Sequence, residues 1–242
     1  MAAKKDSNYD PQQLEALRYA VHGISAPFAC GGTFVPEQPI AIGFRDKTEI
    51  PVLRAKNTYE QVELLGPLMK RCEAAPFGKG RKTRYDRSVR EALQLKAEGG
   101  AFSVLHFDPA AAGILEQIRS ALTPQAAQAP TAELYNLNIY ESGGHFATHK
   151  DTPRGGDMLG TLVVCLPAQF YRGAFVVKHQ GILETYEWAR AIQQQAEPTR
   201  IHWAAFFGDV DHQIEKVWSG LRVTLTYPAI LDQSERGRKQ RV

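Results

Sequence analysis

The chain has 242 residues, 43% apolar and 23% charged, enough to bury a core without disulfide staples and too few for several independent domains. Its 29 basic and 26 acidic side chains leave a net charge of +3, so charge alone does not announce a nucleic-acid partner. Three dispersed cysteines, Cys30, Cys72 and Cys165, form no CxxC pair and no zinc-finger spacing, which excludes a disulfide framework and a zinc finger as expectations.

The opening MAAKKDSNYDPQQ has no apolar stretch after its two lysines, so no signal peptide is expected. The longest apolar run, residues 159–168, is broken by Gly160, Thr161 and Pro167 and falls short of the roughly 20 residues a bilayer span needs. A cytoplasmic setting with reduced thiols and no membrane partner is the expectation. Helical period predicts a first helix over residues 11–23, through Leu14, Leu17 and Val21. TFVPEQPIAIGF then alternates and carries two prolines, which reads as short edge strands. A second helix is expected over residues 58–72 with Val62, Leu65, Leu68 and Met69 on one stripe, and a third over residues 114–122. Between them GKGRKTRYDRSVRE gathers Lys79, Arg81, Lys82, Arg84, Arg87 and Arg90 around Gly78 and Gly80. It lacks the strand and GK[ST] of a phosphate-binding loop; it reads as a solvated basic loop entering a helix or as a lid over a site. PQAAQAPTA closes this half as a linker.

From residue 132 the texture changes to short alternating or apolar β-branched runs: ELYNLNIYE, HFATHKD, LGTLVVCLP, GAFVVKH, ILETYEW, RIHWAAFF, QIEKVW and LRVTLTYPA. Eight strands in about 100 residues suggest an α+β chain whose core is a double-sheet jelly roll, the shape of cupins. The expected division is residues 1–131 as a mixed helical and edge-strand region supporting the barrel, 132–231 as the jelly-roll core, and 232–242 as a basic disordered tail. ARAIQQQAEPT, residues 189–199, is an insertion or a short helix.

In HFATHKD, His149 and Asp151 stand at i and i+2, so on a strand both side chains leave one face while Lys150 points away. His212, which follows the apolar run of the sixth strand, is the best third ligand. Two histidines and one carboxylate leave the opposite positions of a metal open, as in non-haem Fe(II) oxygenases. A second triplet, His106-Phe107-Asp108, is followed by Pro109, which spoils a strand, and reads as a loop. Ten residues after His212, Arg222 and Thr224 share a strand face and make a fork for a carboxylate, unless Arg222 is a surface residue of an edge strand.

These residues resemble the 2-oxoglutarate and Fe(II)-dependent dioxygenases, in particular the prolyl 4-hydroxylase-like branch. Tyr140 and Gly143 ahead of His149 and Asp151 look like that branch's approach to its His-x-Asp. Residues 161–167 are similar to the strand that follows, and RGAFVV at 172–177 to a Gly-Gly strand with its first glycine replaced. Ala205-Phe206-Phe207, His212-Gln213-Ile214, Val217 and Gly220-Leu221-Arg222 resemble the closing segment. The resemblance covers residues 132–230. It implies Fe(II) on His149, Asp151 and His212, 2-oxoglutarate held by Arg222 with Thr224 and Tyr140, O2 as oxidant and ascorbate as a reductant. The implied reaction is hydroxylation of a C–H bond in an amino acid, a peptidyl residue or another substrate, with release of succinate and CO2. The presence of Asp151 favours hydroxylation over halogenation. Cys165 stands where many relatives have a tyrosine that bonds the cosubstrate, and Gln213 replaces a glutamate.

His145 shares the face of His149 and is either a pocket residue or a satisfied polar group. His179 and His202 read as structural. Trp203, Trp218, Phe206 and Phe207 read as core, and Trp188 as core or the border of a substrate groove. The basic segment and tail also fit a rival class, a catalytically silent barrel that binds nucleic acid or an acidic protein.

Overall fold

A computed structural model of the chain describes residues 27–79, 82–152, 155, 157–194 and 200–231. The helix expected over 11–23, Gly80 and Arg81 of the basic segment, and the basic tail lie outside the described residues. In chain order the first half supplies β1 (Ala29–Phe34), β2 (Ala41–Phe44), β3 (Glu49–Pro51), α1 (Thr58–Met69), β4 (Glu73–Ala74), β5 (Phe77–Lys79), β6 (Lys82–Arg84), β7 (Arg90–Glu91), β8 (Leu93–Lys96), β9 (Phe102–Leu105), α2 (Ile114–Leu122) and β10 (Thr131–Ala132). The second half supplies β11 (Asn136–Tyr140), β12 (His145–His149), β13 (Met158–Cys165), β14 (Phe170–Arg172), β15 (Phe175–His179), β16 (Ile182–Tyr186), α3 (Trp188–Gln194), β17 (Ile201–Phe207), β18 (Asp211–Ile214), β19 (Val217–Gly220) and β20 (Arg222–Ile230). The fold is mostly β-sheet, with three α-helices among the described residues, none long and apolar enough to cross a membrane.

Two sheets position the site. The larger runs β1-β17-β13-β20-β11-β8-β4, with β10 also on β20, and the smaller runs β16-β15-β18-β12-β7. From β11 onward the chain passes repeatedly between them, so that β11, β13, β17 and β20 lie in the large sheet and β12, β15, β16 and β18 in the small one. The large sheet buries both faces, which is why its strands read as near-continuous apolar runs. Leu162 and Val164 of β13 join a core with Leu65, Leu68, Ile114 and Ile118 of α1 and α2, while Val163 and Cys165 join a second core with Phe175, Val177 and Ile214 of the small sheet. On β11 the alternation NLNIY sends Leu137 and Ile139 to the first core and turns Asn138 and Tyr140 toward the second sheet.

Several expectations are corrected. β2 is not an edge strand but sits between β3 and β9. On α1, Val62 is exposed and Gln61 buried, because the Gln61 amide donates to Leu53 O and accepts from the backbone N–H of Ala55 and Gln169, tying helix and loops together. The basic segment enters no helix; it forms the β5–β6 hairpin and then β7. QIEKVW is not one strand but two, split at Glu215 and Lys216, and β14 adds a strand that the pattern does not announce. Trp218 is exposed and stacks under the Arg172 guanidinium instead of joining the core.

Candidate active site

The pairing of β12 with β18 sets His149 directly opposite His212 and brings their rings to 4.1 Å. Lys150 and Asp151 lie beyond the end of β12, off the strand, so Lys150 does not point away but lines the same cavity, and Asp151 still brings its Oδ1 within 3.6 Å of His212 Nε2. Its Oδ2 accepts a 2.5 Å hydrogen bond from Thr161 Oγ1 on β13, which fixes the carboxylate from the opposite sheet. The ligand atoms of His149, Asp151 and His212 all lie within 4.8 Å of one another, close enough for one ion.

Each imidazole is oriented by its own backbone. His149 Nδ1 lies 2.8 Å from Ala147 O and His212 Nδ1 3.2 Å from Val210 O. A carbonyl only accepts, so each Nδ1 carries the proton and each Nε2 keeps its lone pair for the site. Burial pushes the His149 pKa down to about 3, with His212 and Arg90 acting in the same direction. Burial also lowers that of His212, although the Asp151 carboxylate opposes it. Both rings are therefore neutral at physiological pH, the form a metal requires. Phe146 stacks on His149 at 3.5 Å and Phe206 leans on His212 at 4.5 Å, giving the pair apolar walls.

Arg222 is not the edge residue of the alternative reading: β20 lies between β13 and β11, and its side chain is 0% exposed. None of its three guanidinium nitrogens has a hydrogen-bond partner among the described residues. The rings of Tyr140, its cross-strand partner, and of Trp188 lie 5.4 and 5.2 Å from the guanidinium carbon. Ring faces compensate a buried cation only in part, and burial lowers the Arg222 pKa. Such a group is explained by an anion that docks on it. Trp188 thus packs under Arg222 as a buried residue.

A cavity of about 650 Å³ lies over the triad, lined by His149, Asp151, His212, Tyr140 and Thr224 and also by Phe77, Gly78, Lys82 and Thr83 of the β5–β6 hairpin. Arg222 is not itself among the lining residues, whereas Thr224, two residues along β20, and Tyr140, its cross-strand partner on β11, are. Cys165 pairs with Thr224 and stays buried beside Arg222, its thiol pushed up to about 12 by burial. Gln213 faces away from the triad and accepts a hydrogen bond from Thr148.

The other histidines among the described residues stay out of the site. His145 is held between Gly143 O and Ser88 O, the satisfied polar group of the two readings. His106 contacts Pro39 O while Asp108 accepts from the Ala111 N–H, so the second His-x-Asp is a loop. His179 packs on Phe28, and His202 sits in β17 opposite Cys165. Sequence reasoning missed Gln94, Asn136 and Asn138, which also line the cavity, and named Arg90, another lining residue, only as one cation of the basic segment. The asparagines had a readable signal, polar residues at every second position of β11; Arg90 had none beyond its charge.

No family model and no curated protein matches the chain. Among solved structures it is similar to a 2OG-Fe(II) oxygenase family oxidoreductase from Burkholderia pseudomallei, at 13% identity and TM-score 0.39 over 74% of this chain and 94% of that one. It is also similar to a prolyl hydroxylase from Trichoplax adhaerens in complex with a hypoxia inducible factor peptide fragment, at 12% and 0.44 over 98% and 99%. A third is a Pseudomonas putida prolyl-4-hydroxylase, at 13% and 0.45 over 88% and 98%. Identities and TM-scores this low leave the site residues as the ground for assigning a chemistry.

Proposed function

We propose that the chain is an Fe(II)- and 2-oxoglutarate-dependent oxygenase that hydroxylates a C–H bond of its substrate, releasing succinate and CO2. The single observation that carries this reading is Arg222, a fully buried cation without a partner among the described residues, on β20 of the large sheet, while a two-histidine, one-carboxylate cluster gathers on and beside β12 and β18 of the small one. A metal site alone would not need that guanidinium, and an apolar core would not tolerate it. The alternation of strands between two sheets supports a double-stranded β-helix in residues 132–231, with β1, β4 and β8 of the preceding region extending the large sheet.

The donors fit a ferrous ion: two neutral imidazoles with free Nε2 atoms and one carboxylate steadied by Thr161. Iron bound there with 2-oxoglutarate supplies the oxidising power, drawn from O2, for C–H hydroxylation. The residues of this chain hold, orient and shield. Arg222 takes the distal carboxylate of the cosubstrate as a bidentate fork, with Thr224 and Tyr140 flanking the approach. Phe146 and Phe206 keep water from the histidines.

Incubating the chain with Fe(II) and 2-oxoglutarate tests this. The expected result is release of succinate that requires O2. An anaerobic titration that changes no absorbance, followed by no succinate in air, would overturn it and favour the silent binding module.

A further inference from the structure

The charge of the cavity is one-sided. Arg90, Lys82, Lys96 and Lys150 line it from four different segments, and Asp151, already assigned to the metal, is the one acidic residue among the described lining. Arg90 is the innermost of the four cations. Its Nη1 donates to Pro76 O at 2.6 Å and its Nη2 to Asn138 Oδ1 at 2.8 Å, while its Nε is buried without a partner. The guanidinium lies 4.5 Å over Phe146, the ring that stacks on His149. No ion pair to Arg90, Lys82 or Lys150 occurs among the described residues, and Lys96 has only the exposed Glu73 at 3.7 Å. The Asn136 Oδ1 is a second buried atom without a partner on the same wall.

This side of the cavity is separate from the Arg222 end. Asn138, which receives Arg90, stands two residues before Tyr140 on β11, about 6 to 7 Å along the strand from the partner of Arg222. The cosubstrate therefore leaves these cations unmatched. Phosphate sites favour helix N-termini, and no helix residue is among the described lining of the cavity. A planar guanidinium flanked by carboxamides suits a carboxylate.

We propose that the primary substrate presents a carboxylate to the Arg90 side of the cavity, where Arg90 holds it and Lys82, Lys96 and Lys150 attract it. The inference rests on the oxygenase reading. The carboxylate belongs either to a free acid or to an acidic side chain of a polypeptide.

The full chain loaded with Mn(II) and 2-oxoglutarate, which does not turn over, is titrated with a labelled peptide of alternating Glu and Ala and with its Lys counterpart. Competitors are L-glutamate, inorganic phosphate and oligothymidylate. The Glu peptide is expected to bind, more weakly as salt rises. Arg90→Gln and Lys82→Gln should each weaken it about tenfold or more. Lys82 is exposed on the hairpin, so its variant keeps the test valid if Arg90→Gln fails to fold. Displacement by L-glutamate identifies the free acid as sufficient; binding of the peptide alone places the carboxylate on a polypeptide. Equal binding of the Lys peptide, stronger competition by phosphate or oligothymidylate, unchanged affinity in both variants, or no carboxylate binding at all would overturn the proposal. If the same protein, reloaded with Fe(II) and 2-oxoglutarate in air, still releases succinate, only this inference fails and the oxygenase reading stands.

Discussion

Arg222 sets stability against function. A cation enclosed by Tyr140, Trp188 and Cys165 with no counter-ion among the described residues destabilises the ligand-free fold, because its lost hydration is not replaced. Arg222→Met keeps most of the volume and removes the charge. It should raise the ligand-free protein's stability by about 1 to 4 kcal/mol in urea unfolding. The same change should weaken 2-oxoglutarate binding at least about a hundredfold while leaving Mn(II) affinity within a few-fold, read by calorimetry on the metal-loaded protein. Equal losses for metal and cosubstrate, or a destabilised ligand-free protein, would make Arg222 a structural residue.

At the scale of elements, the loop from β14 to β15 holds that arginine in place. Gly173 has φ +71°, and a Cβ there would stand 2.6 Å from Val217 Cγ2 and 3.5 Å from Arg222 Cδ. Gly173→Ala is expected to cost about 1 to 3 kcal/mol in thermal or urea unfolding, with a larger loss of 2-oxoglutarate affinity than of metal affinity. Wild-type stability in that variant would contradict the packing described. Strands such as β13, β17 and β20 were legible because apolar runs bounded by Gly, Pro and Asp leave few alternatives. Their partners were not, since pairing joins residues far apart in sequence: nothing local says that β12 pairs with β18, or that the register shifts between Phe146 and His149 so that His149 faces His212. The hairpin of the basic segment escaped notice because charge describes its surface and not its backbone. Gln61 and Val62 exchanged places because a helical stripe counts apolarity, whereas three backbone hydrogen bonds decided which side chain went inside. Within the candidate site, His149, Asp151, His212 and Arg222 were readable from their chemistry, Arg90 only as one charge of the basic segment, and Gln94 and Asn138 became visible only once the cavity gathered them.

Over the whole molecule, one core joins the large sheet to α1 and α2, and a second fills the space between the sheets. The first carries no candidate site residue; the second contains Tyr140 and Cys165 and packs against His212 through Phe175 and Phe206, so one face of the large sheet rests on the helices and the other turns toward the cavity. The central claim is that His149, Asp151 and His212, contributed from the end of β12 and from β18, act as one metal site. Electron paramagnetic resonance titration of Mn(II) into the wild type and into His149→Ala, Asp151→Ala and His212→Ala measures this directly, because each variant removes one donor while the folded state is checked in parallel by circular dichroism. The expected result is one bound ion per chain in the wild type and loss of about tenfold or more in affinity in each variant, with the fold retained. Unaltered Mn(II) binding in any of the three folded variants, or binding of no ion by the wild type, would contradict it.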